Sequence, residues 1–220
     1  MSSQIIKLVA TPATYVMEAD ELEPSMFSSS VPKQHSYMAY ENDDIGLYVG
    51  IWDTTDMVEA PGPYPCDEYM VLLEGTALIQ HNQTSTDTEI TTNQSFVIPK
   101  GLDCQWHQSG YLRKFFVIWQ HPELDLPTTP SVDRILIDGE DYQDHTKQFH
   151  TGMAGTQHYS SAQALHPYYE FIYVKHGKLT ISGHSTCSLN AGEAAFISKG
   201  TRCQFDSSSD LTAEFVRVSS

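Results

Sequence analysis

Short runs in which apolar residues alternate or cluster recur along the chain: GLYVGIW, EYMVLLEG, TALIQHN, SFVIPKG and RKFFVIWQ, then EFIYVKHG, KLTISGH, AAFISKG and AEFVRVS. Gly, Asn or Pro punctuates them, and β-branched and aromatic residues fill them. That is the pattern of strands on buried or half-buried sheets. No segment sustains the 3.6-residue period of a long helix. The even spacing predicts an all-β sandwich or barrel.

The runs form two echoing sets. Glu68 and Gly75 in EYMVLLEG match Glu170 and Gly177 in EFIYVKHG at an offset of 102, while SFVIPKGLDCQW matches AAFISKGTRCQF at 99, as FFVIW matches EFVRV. The change in offset falls in the hairpin between Gly75 and Asn93, where NQTSTDTE reads as a polar turn. A duplication whose length change lies in a loop predicts two copies of one structural unit. The expected organisation is an N-terminal extension over 1–39 packing on the barrels, a first repeat over 40–121, a linker over 122–146 and a second repeat over 147–220. The stretch FSSSVPKQHSYMAY is placed to add an edge strand or seal an open edge.

Composition narrows the class. The chain has 220 residues, 40% of them apolar or aromatic, which is enough for buried cores. Twelve Lys and Arg against 28 Asp and Glu give a formal charge of −16, which repels phosphate backbones and anionic lipid, so neither nucleic acid nor membrane is expected as a partner. The N-terminal apolar run is short and interrupted by Pro12, unlike a signal peptide, and no stretch approaches about 20 apolar residues. A cytoplasmic protein is expected, with a homodimer as the default assembly. Four cysteines, at 66, 104, 187 and 203, show no Cys-x-x-Cys pair and do not predict disulfides.

A strand bearing Glu, six residues and Gly, then a hairpin, then IPKG and a residue three places on, resembles the two-motif pattern of cupins, which are small jelly-roll barrels. In the first copy GIWDTT, YPCDEYMVLLEG, FVIPKGLDCQW and RKFFVIW are similar to the cupin-3 branch that includes ethanolamine-utilisation proteins. The second copy has Ser198 at the motif proline. The resemblance implies two tandem cupin jelly-roll (double-stranded β-helix) barrels of the RmlC-like superfamily, a bicupin.

Metal-binding cupins hold their ion with two histidines and a glutamate from the first motif and one histidine from the second. In the first repeat the histidine places fall on Gly62 and Tyr64, or on Pro61 and Pro63 in the other spacing, and the last place is Cys104. Only Glu68 remains, so no metal is expected there. Strand parity puts Tyr64, Cys66, Glu68 and Met70 on one face and Cys104 with Trp106 on another, which predicts a ligand pocket of Tyr64, Cys66, Glu68, Cys104 and Trp106, with Phe205 at the place of Trp106 in the second repeat. A buried Glu68 needs a partner, and Arg113 or Tyr64 is the candidate.

The second repeat keeps more of the pattern. Ala164 takes the first histidine place, but His166, Glu170 and Cys203 supply nitrogen, oxygen and sulfur donors that fit one divalent metal, Zn, Mn, Fe or Ni, with an open water position. Glu170 or Tyr168 would then move protons, and a Cys203 thiol with His166 as base is a further reading. His81, His107 and His121 read as solvated or capping residues, and Trp52, Trp106 and Trp119 as core or pocket walls. Two functions follow: an enzyme of hydrolase, lyase or isomerase type acting on a small polar metabolite in the second barrel, or a non-catalytic, metal-free ligand-binding or structural protein.

Overall fold

The computed structural model describes residues 4–10, 15–84, 86–121, 129–207 and 210–219. Among them the helical content is a single 3₁₀ turn at Pro24–Met26; the rest of the regular structure is antiparallel strand. The chain divides into two compact units, Pro12–Asp138 and Met1–Thr11 with Gly139–Ser220. Each unit is a jelly-roll barrel of two sheets.

In the first barrel a seven-stranded sheet runs in the order Leu136–Ile137, Ser95–Ile98, Asp67–Glu74, Leu112–Trp119, Leu47–Thr54, Gln34–Asn42 and Glu18–Ala19. The facing sheet is built on Asp103–Gln108 and Thr76–His81, with Thr86–Thr91 beyond and Met57–Val58 and Gly62–Pro63 on the other side. Met70, Leu72 and Phe116 from the first sheet meet Ile79, Ile90 and Trp106 from the second in one core. Their period of two is why EYMVLLEG reads as a strand and why Glu68, two residues before Met70, points the same way.

The second barrel repeats the plan. Its larger sheet runs Ile5–Leu8, Ala194–Ile197, Tyr169–His176, Leu211–Val218, Phe149–Thr156 and Tyr142–Gln143, and its smaller sheet is built on Arg202–Ser207 and Lys178–Ser182. Ile172, Val174 and Ala213 pack with Ile181 and Leu189. The repeat extends to the backbone: a register shift occurs where Lys114 meets Leu72 and again where Ala213 meets Val174. Gly75 and Gly177 have φ of 89° and 84°, Gly101 and Gly200 have 86° and 83°, and Asn93 at 71° stands where the second copy has Gly192 at 85°.

The segments outside the two repeats serve sheet edges. Gln34–Asn42 pairs with Leu47–Thr54 and widens the first barrel's sheet. Ile5–Leu8 pairs with Ala194–Ile197 and covers that edge of the second. In the first barrel the corresponding edge strand, Ser95–Ile98, is covered instead by Leu136–Ile137, from the joining segment. Residues 122–128 of that segment lie outside the described residues.

At Gly177 a Cβ would stand 2.0 Å from the Asp210 carbonyl oxygen, and at Gly200 it would meet nothing within 4 Å, although both φ angles are positive. Gly200→Ala is therefore expected to cost only the left-handed backbone, about 1 kcal/mol, whereas Gly177→Ala adds a backbone collision and should cost at least twice that. Urea unfolding of the two variants checks this; equal midpoints would contradict it.

Candidate functional site

The first barrel encloses a cavity of about 260 Å³ whose wall includes Glu59, Tyr64, Glu68, Trp106 and Lys114. Glu68, at the start of the central strand, is 4% exposed. The Lys114 ammonium donates to its Oε1 at 2.8 Å, and the Tyr64 hydroxyl donates to Oε2. Lys114 Nζ also lies 4.7 Å from the Trp52 ring centroid and 4.9 Å from that of Trp106, so two indole faces hold the cation that the carboxylate neutralises. Burial first, and the Glu68 charge next, push the Tyr64 phenol well above its usual range. Glu59 behaves differently: burial raises its carboxyl to about 7, the Lys114 charge opposes that rise and the Glu68 charge adds to it.

The second barrel has a larger cavity, about 480 Å³, walled by His166, Tyr168, Glu170 and Arg217 and by apolar groups such as Phe205 and Leu211. Glu170 is 3% exposed. Arg217, its partner across the strand pair, donates Nε–H to Oε1 at 2.5 Å, and its guanidinium lies 4.1 Å from the Phe215 ring centroid. His166 Nε2 is buried and sits 2.9 Å from Oε2 without the geometry of a hydrogen bond. A recess of about 690 Å³ beside Gln4–Ile6 in the same barrel is larger, but the buried charges are elsewhere.

The structure brings together part of each residue set expected from sequence. Tyr64, Glu68 and Trp106 share the first cavity, while Cys66 and Cys104 are buried away from its wall. Burial pushes the Cys66 thiol well up and the Cys104 thiol to about 12. His166, Tyr168, Glu170 and Phe205 share the second cavity, but Cys203 is packed in the core and does not line it. The expected ligand set of His166, Glu170 and Cys203 therefore does not form: among the described residues no three His, Cys, Asp or Glu side chains stand close enough to hold a metal ion. The physical reason is that both Glu170 oxygens face Arg217 and His166, while Cys203 is packed among apolar side chains of the core rather than at the cavity wall. Likewise Arg113 is not the partner of Glu68; among the described residues its guanidinium nitrogens make no hydrogen bond.

Three residues that matter were not singled out in the sequence: Lys114, Arg217 and Glu59. The first two were readable. In RKFFVIW, Lys114 shares the face of Phe116 and Ile118, and in AEFVRV, Arg217 shares the face of Ala213 and Phe215, so parity sends each inward. At the repeat offset Lys114 corresponds to Ala213 and Arg217 to Ile118, so the two barrels place their cations at different points of the same strand. Glu59 carries no such signal, because its position depends on the loop between Met57–Val58 and Gly62–Pro63.

No protein-family model matches the chain, and no curated protein matches it in sequence. Solved structures do match in fold. A protein of unknown function of the DUF861 family from Pseudomonas syringae pv. tomato aligns over 99% of this chain and 100% of its own with a TM-score of 0.77 and 14% identity. A cupin 2 conserved barrel domain protein from Leptotrichia buccalis aligns over 88% of this chain and 99% of its own, with a TM-score of 0.61 and 10% identity. The bacterial pirin YhhW from Escherichia coli, solved with nickel(II), aligns over 98% and 99%, with a TM-score of 0.54 and 13% identity. At such identities the likeness speaks for architecture, and the architecture is the cupin jelly roll.

Proposed function

We propose that the protein is a bicupin that binds small organic molecules without metal in either barrel, and that the second barrel takes a small carboxylate. The observation that carries this is the use of Arg217. Its Nε is committed to Glu170, its side chain remains 39% exposed, and it lines the cavity. The two terminal nitrogens then form a fork suited to a carboxylate. Ile172, Leu179 and Phe205 surround the rest of such a ligand with apolar wall. In this reading Glu170 anchors Arg217 and Tyr168 forms a wall beside it, which favours the non-catalytic alternative for this barrel. In the first barrel Lys114 supplies the positive charge that a metal supplies in metal-binding cupins.

Titration with acetate, malonate and benzoate, followed by calorimetry, tests the carboxylate. At least one should saturate, and Arg217→Gln should weaken it about tenfold or more, the worth of a charge-assisted hydrogen bond of about 1.5 kcal/mol. Equal affinity in the variant, or no saturation, overturns the reading. Elemental analysis of protein purified without chelator should find far less than one equivalent of Zn, Mn, Fe or Ni; near one equivalent that is lost in His166→Ala would restore the metal enzyme. Lys114→Met should cost about 3 to 5 kcal/mol by leaving a buried charge alone, and adding Glu68→Gln should regain much of it. Urea unfolding reads both, and a double variant no more stable than the single one contradicts the pairing.

A further inference from the structure

The first barrel's cavity holds one acid that nothing in the fold uses. Glu68 is fully engaged by Lys114 and Tyr64. Glu59 lines the same cavity, and no hydrogen bond or ion pair engages its carboxyl among the described residues. Its backbone is fixed, because its N–H donates to the Trp106 carbonyl oxygen and its own carbonyl accepts from Gln105. The carboxyl is therefore held at the wall by its main chain while its oxygens stay open.

Lys114 provides the complementary group. An ammonium has three donors. One goes to Glu68 Oε1, another direction is taken by Met70 Sδ at 2.9 Å, and the residue still faces the cavity. Two indole faces and an ion pair prevent it from swinging away. A rigid cation and an open carboxyl on one small, aromatic-walled cavity are the two groups needed to remove a proton next to a carbonyl: one holds the oxygen where charge develops, the other takes the proton.

We propose that the first barrel catalyses enolisation of a small, uncharged α-hydroxy carbonyl compound, with Glu59 as the base and Lys114 as the group that stabilises the enolate oxygen. The C–H bond next to the carbonyl breaks and its proton passes to a Glu59 oxygen. The C–H electron pair becomes the C=C bond, and the carbonyl π pair moves to the oxygen held by Lys114. Return of the proton to the same carbon restores the substrate. Transfer of the hydroxyl proton to the enolate oxygen and return of the Glu59 proton to the adjacent carbon gives the isomer, with no other reactant. A cavity of about 260 Å³ suits a small substrate. This reaction is independent of any carboxylate at Arg217, in the other barrel.

The pH dependence has a defined origin. The ionisable groups that act on Glu59, or on which it acts, are Lys114, Glu68, Tyr64 and Cys104. Tyr64 is held well above its usual range and Cys104 is at about 12, so neither loses a proton near neutrality. Glu59, raised to about 7, must be ionised to accept a proton, so the rate should fall as pH drops below that value.

Hydroxyacetone, dihydroxyacetone and glycolaldehyde are the probes, incubated with the full chain in D₂O and followed by proton NMR. At least one should lose its C–H signal at least about a hundredfold faster with the protein than with Glu59→Gln. The wild-type rate should bend near pH 7. Glu59→Gln is expected to fold, since it removes a carboxyl whose ionisation is unfavourable where it stands; thermal unfolding at pH 8 verifies that. No exchange above buffer with any probe, or equal exchange by a folded Glu59→Gln, overturns the proposal.

Discussion

A carboxylate that is almost completely removed from water must be answered by a positive charge or give up its own. Both barrels contain one, at the same point of the central strand, and they are among the least exposed acids of the chain: Glu68 at 4% and Glu170 at 3%. The two cavities differ in how that demand is met. In each barrel the answer comes from the neighbouring strand, Leu112–Trp119 in one and Leu211–Val218 in the other.

The answers differ in geometry and so in what they leave over. Lys114 enters near the start of its strand and reaches Glu68 past two indole faces. A compact ammonium deep in the wall leaves a small cavity. Arg217 lies directly opposite Glu170 and spends only its Nε there, so most of a planar guanidinium remains at the mouth of a larger one. The cysteines opposite Gly62 and Ala164 stand at equivalent places in the two barrels. Cys104 pairs with Gly62 and Cys203 with Ala164, so where a metal site would set two imidazoles side by side, each barrel has a thiol next to a residue with little or no side chain. Such pairs fill space without adding charge.

The sheets were legible because their information is local. A period of two, Gly at the tight turns and a repeat offset that changes inside a hairpin fix which residues face inward, and Gly75 and Gly177 take up the positive φ that their places in the pattern suggest. The residues of the two cavities were half legible for the same reason. Tyr64, Glu68, His166 and Glu170 stand at motif spacings, but a motif borrowed from metal-binding relatives directs attention to ligands, and here the informative residues were cations. Lys114 and Arg217 each break an apolar run on the inward face, a signal present in the sequence and independent of any family. Glu59 could not be found that way, because a loop residue's surroundings are set by chain segments distant in sequence.

The edge strand Ile5–Leu8 has a bearing on how the molecule is made. Its partner, Ala194–Ile197, follows it in the chain by almost 190 residues. Ile5–Leu8 must therefore wait for a partner made long after it, while the strands of Pro12–Asp138 find all their partners within that stretch of chain. Until then the apolar side chains of Ile5, Ile6 and Leu8 have no sheet to join, which makes this short segment the part of the second barrel that stays exposed longest during folding.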